Sequence, residues 1–149
     1  MTDDRVWLPF VTAHYVDVTA DEGVLDAVLP FIEGDALKDD QTEAFYTPRV
    51  ASDEASLYEH CARALDVSLS LGAHGLPLMG TGDWNDGMNR VGEKGRGESI
   101  WMGWFLLAAI AAFVPHAQAR NDSGRVSRWT QLADALRVAL ESAGWDGEW

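Results

Sequence analysis

The sequence of 149 residues has little cysteine, little positive charge and no long hydrophobic run. Its single cysteine, Cys61, excludes an intrachain disulfide and favours a reducing compartment. Lysine and arginine number 11 against 24 acidic residues, so the formal net charge of −13 repels phosphate backbones and anionic lipid. A solvated acidic face is the favoured explanation of this charge. We therefore expect no nucleic acid and no membrane surface among the partners.

The longest apolar run, residues 100–114, has about 15 residues, fewer than the roughly 20 that a helix needs to cross a bilayer. The opening residues, Met-Thr-Asp-Asp-Arg-Val, have neither the basic segment nor the apolar stretch of a secretory signal. The length is that of one ordinary domain. These features predict a soluble, cytoplasmic segment.

Apolar residues recur at helical spacing in four stretches, while the alternation typical of strands is almost absent. The first predicted helix begins at Asp3 or Asp4, either of which can act as the N-cap. Its expected inward stripe consists of Leu8, Val11, Tyr15 and Val18. Residues 21–50 are predicted to be mostly loop, because Pro30 and a polar run interrupt any period.

The second predicted helix begins at Ser52 or Asp53 and ends at Gly72. Its expected inward residues recur every four positions: Leu57, Cys61, Leu65 and Leu69. This pattern places the cysteine in the core as a small apolar side chain.

The third predicted helix is capped by Ser99 and is apolar on every side over residues 100–114, so we expect burial all round. Pro115 is expected to kink or end it. The fourth helix runs from Val126 to Ala143, with Gly144 as its terminator. Its expected inward residues are Trp129, Leu132, Ala133, Leu136, Leu140 and Ala143.

A glycine-rich segment, residues 80–99, separates the second and third helices and has no helical or strand period; we call it the central loop. It begins Gly-Thr-Gly-Asp-Trp-Asn-Asp-Gly, so Asp83 and Asp86 flank Trp84 and Asn85. An indole face covers the C–H face of a pyranose, while carboxyl groups accept hydrogen bonds from hydroxyls or protonate a glycosidic oxygen. Long ordered loops are usually functional, and we interpret this one as a carbohydrate site.

Other chemistries fit the central loop poorly. A calcium-binding EF-hand beginning at Asp83 would need an acid or amide and then a glycine where Gly87 and Met88 stand. The run 92–97 lacks the Lys-Ser/Thr ending of a phosphate-binding loop, and zinc-ligand spacing is missing. From spacing alone, Asp83 and Asp86 fit catalysis and hydrogen bonding to the loop backbone about equally well.

Three runs, residues 58–65, 74–89 and 97–106, resemble glycoside hydrolase family 94. The stretch 7–15, Trp-Leu-Pro-Phe-Val-Thr-Ala-His-Tyr, and the core Gly-Asp-Trp-Asn-Asp-Gly-Met-Asn are most similar to the cyclic β-1,2-glucan synthase branch of that family. The likeness extends over essentially the whole chain. It implies an all-α fold, with residues 1–149 supplying about four main helices of an (α/α)6 barrel built from six helical hairpins.

The resemblance also implies an activity: inverting phosphorolysis or transfer of β-linked, chiefly β-1,2-linked, glucosyl units. In the family, the acid following Trp-Asn protonates the departing sugar while inorganic phosphate attacks the anomeric carbon from the opposite face. Carried over, Asp86 is the general acid, Trp84 contacts the sugar, and Asp83 organises the loop or accepts a hydroxyl. Phosphate is then a co-substrate, and no cofactor or metal is implied.

The chain is much shorter than the catalytic domains of that family, which implies a fragment with negligible activity by itself. Its implied partners are a β-glucan oligosaccharide or polysaccharide, inorganic phosphate and the remainder of the parent catalytic domain. Cyclic glucan synthases are usually anchored in the inner membrane through segments other than this one. Two alternatives stay open: an inverting glycoside hydrolase on the same scaffold, and a non-catalytic carbohydrate-binding fragment.

Overall fold

Four α-helices, two 3-10 helices and a two-stranded antiparallel sheet form the part of the chain that the computed structural model describes. The described residues are 2–38, 41, 44–82, 84, 86–88 and 90–148, with Asp86 described for its backbone alone. In chain order the elements are α1 (Asp4–Thr19), a 3-10 helix (Glu22–Asp26), β1 (Val28–Glu33), β2 (Arg49–Ser56), α2 (Leu57–Val67), a second 3-10 helix (Asp86–Met88), α3 (Ile100–Ala119) and α4 (Ser123–Ser142). The four helices agree with the sequence-based prediction, whereas the sheet was not predicted.

The helix α1 begins where it was predicted to begin, but its buried face is a different one. The buried residues are Val6, Pro9, Thr12, Ala13 and Val16. The residues that were expected to point inward are all exposed: Leu8, Val11, Tyr15 and Val18. Because α1 is apolar on nearly every side, its periodicity fits two stripes equally well. Only the positions of α2 and α3, which pack against α1, decide between them.

The strands β1 and β2 form an antiparallel hairpin, although residues 21–50 were predicted to be mostly loop and the residues after Ser52 or Asp53 to be helical. Val28 pairs with Ser56 and Glu33 pairs with Arg49, with a shift of register between Pro30 and Ile32. The sequence of β2, Arg-Val-Ala-Ser-Asp-Glu-Ala-Ser, is rich in residues with low strand propensity, so its periodicity gave no signal. A proline is tolerated in β1 because both strands of a two-stranded sheet are edge strands.

The helix α2 starts after β2, later than the predicted Ser52 or Asp53. Its N-cap is Ser56, whose hydroxyl accepts a hydrogen bond from the backbone N–H of Glu59 at 3.2 Å. The helix also ends before the predicted Gly72. The predicted inward face is confirmed. Cys61 and Leu65 are fully buried, and Leu57 and Leu69 are partly buried against the core.

The helix α3 begins as predicted, with the hydroxyl of Ser99 accepting a hydrogen bond from the backbone N–H of Met102 at 3.2 Å. It continues through Pro115 to Ala119, so the proline does not end it. The expectation of burial on all sides is wrong, because one stripe faces outward: Ile100, Trp104, Ala108, Ala111 and Pro115. The opposite side packs between α1 and α4.

By length and composition alone, α3 could also cross a membrane, since an 18-residue window of this 20-residue helix has a mean hydropathy of 1.7. The core helix of a globular fold satisfies the same criterion. The residues of α3 that are buried within this fold are Met102, Gly103, Leu106, Ala109, Ile110, Phe113 and Ala117. We therefore describe α3 as the central core helix of the described chain.

The helix α4 agrees best with its prediction. It runs from Ser123 to Ser142. The carboxylate of its N-cap residue, Asp122, accepts a hydrogen bond from the backbone N–H of Arg125 at 3.2 Å. Of the expected inward residues, Trp129, Leu136 and Leu140 are buried. Leu132 and Ala133 are partly buried, and Ala143 is exposed. Ala143 points outward because it follows the last turn of the helix.

The central loop and the β-hairpin lie at opposite ends of the helices. The start of α1 meets the central loop, where the backbone N–H of Thr2 donates to the carbonyl of Gly82 at 3.0 Å. The end of α4 reaches the same region, since a Cβ on Gly144 would lie 3.5 Å from Cγ1 of Ile100. The hairpin connects the far end of α1 to the start of α2. The length of α1 separates the two regions by about 24 Å.

Candidate functional site

The central loop leaves and rejoins the helical body through backbone hydrogen bonds at its base. The N–H of Met79 donates to the carbonyl of Gly97 at 2.8 Å, and the N–H of Ser99 donates to the carbonyl of Pro77 at 2.9 Å. The two ends of the loop are therefore adjacent, as in compact Ω-loops. This closure sets the position of the loop relative to α3, whose first turn follows directly.

Two glycines let the backbone of the central loop approach itself closely. Gly80 has a φ of +64°, in the left-handed region that favours glycine. A Cβ on Gly92 would lie only 1.9 Å from the carbonyl oxygen of Gly80, so a side chain at that position would force the loop open. At these two positions glycine therefore allows a left-handed backbone conformation and close contact between two backbone segments.

Thr2 fastens the loop to the start of α1. Its hydroxyl lies 3.2 Å from the carbonyl oxygen of Met79 and 3.1 Å from that of Gly82. The hydroxyl and the backbone N–H of Thr2 together hold the segment that ends just before Asp83. The sequence contained no signal for this contact, because the partners are 77 and 80 residues apart.

The carboxylate of Glu98 holds the other side of the loop. It accepts hydrogen bonds from Nδ1 of His74 at 2.5 Å, from the backbone N–H of His74 at 2.9 Å and from that of Leu76 at 3.2 Å. Burial raises the pKa of Glu98, but these hydrogen bonds outweigh burial and hold the pKa below its ordinary value. An ionised carboxylate, whose side chain is only 9% exposed, thus ties the end of the loop to the turn that precedes it.

Gly72 leaves room for this carboxylate. A Cβ at that position would lie 2.5 Å from three side-chain atoms of Glu98. The glycine that was predicted to end α2 therefore has a different role, which is to let an acidic side chain lie against the backbone.

The three residues predicted to form the site belong to the first part of the central loop. The side chain of Trp84 is 58% exposed, and its ring centroid is 5.9 Å from that of Trp101, with 35° between the ring planes. Asp86 begins the 3-10 helix that ends at Met88. The side chain of Asp86 and the whole of Asp83 lie outside the described residues. The position of Trp84 beside α3 is therefore established, while the roles of the two carboxyl groups stay predictions.

Trp84 is the first member of a series of aromatic rings in contact, which we call the aromatic row: Trp84, Trp101, Phe105 and Trp7. The ring centroids of Trp101 and Phe105 are 5.3 Å apart, and those of Phe105 and Trp7 are 4.5 Å apart. The row joins the loop, the start of α3 and the start of α1. Sequence reasoning did not find it, because its members come from three separate segments. The one available signal was the spacing of Trp101 and Phe105, which is one helical turn.

Asp3 lies next to the aromatic row. Its Oδ2 accepts a hydrogen bond from Nε1 of Trp7 at 3.3 Å, and the residue is 4% exposed. Its other oxygen, Oδ1, is buried and has no hydrogen-bond partner among the described residues. Asp3 occupies the N-cap position of α1 without making a side-chain capping bond. Its carboxylate instead accepts the hydrogen bond from the indole of Trp7.

The whole chain, residues 1–149, matches the family model of the glycosyl hydrolase 94 superfamily catalytic domain. It is 53% identical over 150 residues to cyclic beta-(1,2)-glucan synthase NdvB of Rhizobium meliloti (strain 1021), covering 100% of this chain and 5% of the synthase. It is 33% identical over 149 residues to cellobionic acid phosphorylase of Neurospora crassa, covering 99% of this chain and 17% of that protein. Over 100 residues it is 41% identical to 3-O-beta-D-glucopyranosyl-beta-D-glucuronide phosphorylase of Paenibacillus borealis, covering 66% of this chain and 13% of that protein.

The chain thus spans between 5% and 17% of the length of these relatives. The family match confirms the resemblance that the motifs of the central loop indicated. The chain belongs to the catalytic-domain family of the glycosyl hydrolase 94 superfamily.

Proposed function

We propose that this chain carries the general acid of an enzyme that cleaves or transfers β-linked, chiefly β-1,2-linked, glucosyl units by inverting phosphorolysis. The observation that carries the proposal is the exposed indole of Trp84 on the central loop, two residues before the 3-10 helix that Asp86 begins. An exposed indole offers a surface to a pyranose ring. A carboxylic acid so close in sequence is suited to act on the bond next to that ring.

In this proposal Asp86 donates its proton to the glycosidic oxygen. The bond between that oxygen and the anomeric carbon breaks, while an oxygen of inorganic phosphate bonds to the same carbon from the opposite face. A β-linkage therefore yields α-glucose 1-phosphate and a shortened glucan. Phosphate replaces the base and water of an inverting hydrolase, so one catalytic carboxyl group suffices without a cofactor. Asp83 organises the loop or accepts a sugar hydroxyl.

The relatives support this class of reaction. Two of them are named as phosphorylases, and the relative at 53% identity is named as a synthase of cyclic β-(1,2)-glucan. The higher identity to the synthase favours β-1,2-glucan as the substrate of the protein to which this chain belongs.

We place the chain within a larger (α/α)6 barrel. Two outward apolar stripes support this placement: Leu8, Val11, Tyr15 and Val18 on α1, and Ile100, Trp104, Ala108, Ala111 and Pro115 on α3. Contiguous apolar surface of this kind marks a surface that another element covers. The rest of the catalytic domain covers it and supplies the phosphate site, so the isolated chain has negligible activity. The single buried cysteine, Cys61, supports a cytoplasmic location, with any membrane anchor of the parent lying outside this chain.

The test is the phosphate dependence of the full-length protein that contains this chain. With β-1,2-glucan as substrate, we expect glucose 1-phosphate to form only when phosphate is present, at a rate that saturates with phosphate. Sugar release at the same rate without phosphate would instead support the inverting hydrolase. Binding of the oligosaccharide without release of sugar, whether phosphate is present or absent, would support the alternative that the chain is a non-catalytic carbohydrate-binding fragment.

A further inference from the structure

We propose that the aromatic row extends the sugar contact of Trp84 into a platform along which consecutive glucosyl residues of a β-glucan chain lie. The inference rests on the proposed function, because it takes the sugar held by Trp84 as its starting point. It assigns a binding role to Trp7 in the first turn of α1 and to Trp101 and Phe105 in the first two turns of α3.

The aromatic row is continuous. Successive ring centroids lie 5.9 Å, 5.3 Å and 4.5 Å apart, which is the range of direct aromatic contact. A glucan presents the C–H faces of successive pyranose rings, so a continuous aromatic surface matches a chain of sugars better than a single monosaccharide.

Both ends of the row are exposed. Trp84 is 58% exposed and Trp7 is 43% exposed, while Trp101 and Phe105 between them are partly buried. Aromatic residues that serve only the core of this fold behave differently: Phe113 is 0% exposed. The row is therefore anchored in the fold at its centre and open at the end that approaches the proposed acid and at the end that leads away from it.

A hydrogen bond to Asp3 fixes the orientation of the Trp7 indole. The carboxylate of Asp3 is 4% exposed and accepts the indole N–H at 3.3 Å, although one of its oxygens has no partner among the described residues. Burying a carboxylate with an unsatisfied oxygen is unfavourable. An indole that is fixed before the ligand arrives loses less conformational entropy on binding.

The chemistry of the row favours a sugar over a protein segment. The outward stripes on α1 and α3 are mainly aliphatic, as suits contact with other helices, whereas the row consists only of aromatic rings. A glucan is uncharged, so the net charge of −13 does not oppose its approach. We therefore assign the row to the glucan and the stripes to the rest of the domain.

The experiment compares Trp7→Ala with Trp104→Ala in the full-length protein. Trp104 is the control, because it carries the same side chain but lies outside the row, in the stripe that we assign to the rest of the domain. Affinities for β-1,2-gluco-oligosaccharides of increasing length are measured by calorimetry without phosphate. We expect Trp7→Ala to weaken the binding of long oligosaccharides about tenfold and to leave the shortest oligosaccharide nearly unchanged. Trp104→Ala should leave the dependence on length as it is.

A second pair of variants separates loss of the ring from loss of folding. Trp7→Phe retains an aromatic face and should retain most of the affinity for long oligosaccharides, whereas Trp7→Leu should lose it. An equal loss at every length, or no loss at all, in Trp7→Ala and Trp7→Leu would overturn the platform. Because the readout is binding without phosphate, phosphate-independent sugar release would contradict the proposed reaction without changing this result.

Discussion

The carboxylate of Glu98 accepts a hydrogen bond from Nδ1 of His74 at 2.5 Å, and this contact closes the base of the central loop across 24 residues of chain. The same carboxylate lies against the α-carbon of Gly72, where no Cβ would fit. The loop that carries Asp86 is thus fixed by a side chain that takes no part in the proposed chemistry. We regard Glu98 as a positioning residue.

Replacing Glu98 with Gln should lower kcat for glucan phosphorolysis by roughly tenfold to a hundredfold, because small displacements of a catalytic group are costly. The KM should change much less. Steady-state kinetics of the full-length protein with saturating phosphate provide the measurement. Glu93→Gln, at an exposed position in the same loop, is the control and should leave kcat unchanged. A Glu98→Gln variant with the kcat of the original protein would show that this contact does not position the loop.

Arg125 joins α4 to α2 through several carboxylates. Its guanidinium donates to both oxygens of Glu59, at 2.7 Å and 3.0 Å, to Asp66 at 3.0 Å and to Asp122 at 3.2 Å. The Arg125 side chain is 19% exposed, so the substitution Arg125→Met leaves partly buried carboxylates without this cation. We expect the free energy of unfolding of the chain to fall by about 3 kcal/mol.

Urea denaturation measures this loss, and Arg137→Met supplies the comparison. Arg137 pairs with Asp134 on the surface of α4, with side chains that are 55% and 71% exposed. Such exposed pairs contribute about 0.5 kcal/mol or less. Equal losses in the two variants would show that the Arg125 network does not stabilise the contact between α2 and α4.

The stability of the fold should also depend on pH through Glu59. Hydrogen bonds from Arg125, opposed by burial and assisted by Arg63, lower the pKa of Glu59 from 4.5 to about 2. Between these values the unfolded chain binds more protons than the folded chain. The contribution of Glu59 is therefore complete above about pH 4.5 and is lost as the pH falls towards 2.

In Glu59→Gln this pH dependence should be weaker. The difference in free energy of unfolding between the original chain and the variant should shrink by an amount on the order of 3 kcal/mol between pH 5 and pH 2. Urea titrations at a series of pH values give the comparison. Parallel curves for the two proteins would mean that Glu59 has the same pKa in both states.

The helices with a single apolar face could be predicted from the sequence. The cap at Ser99 and the buried positions Trp129, Leu136 and Leu140 follow from local pattern and cap chemistry, and the structure has them. The stripe of α1 could not be predicted, because that helix is apolar on most sides and only its neighbours select the buried face. The hairpin was missed because β2 has low strand propensity and pairs across a long connection.

The candidate site divides in the same way. Local spacing pointed to Trp84 and the acids beside it, since their chemistry can be read from adjacent residues. The contacts of Thr2, Glu98 and Trp7 could not be predicted from the sequence, because each joins segments that are distant in the sequence. Folding decides these contacts, and they determine where the loop lies.

The central claim is that Asp86 protonates the departing sugar, and its most direct test is to compare leaving groups in Asp86→Asn. A sugar leaving group needs a proton, whereas the dinitrophenolate of 2,4-dinitrophenyl β-glucoside does not. In the full-length protein with saturating phosphate, we expect the variant to lose about a thousandfold in kcat on β-1,2-glucan. On the activated glucoside it should stay within about tenfold of the original enzyme. Equal losses on both substrates, or no loss on the glucan, would contradict the account.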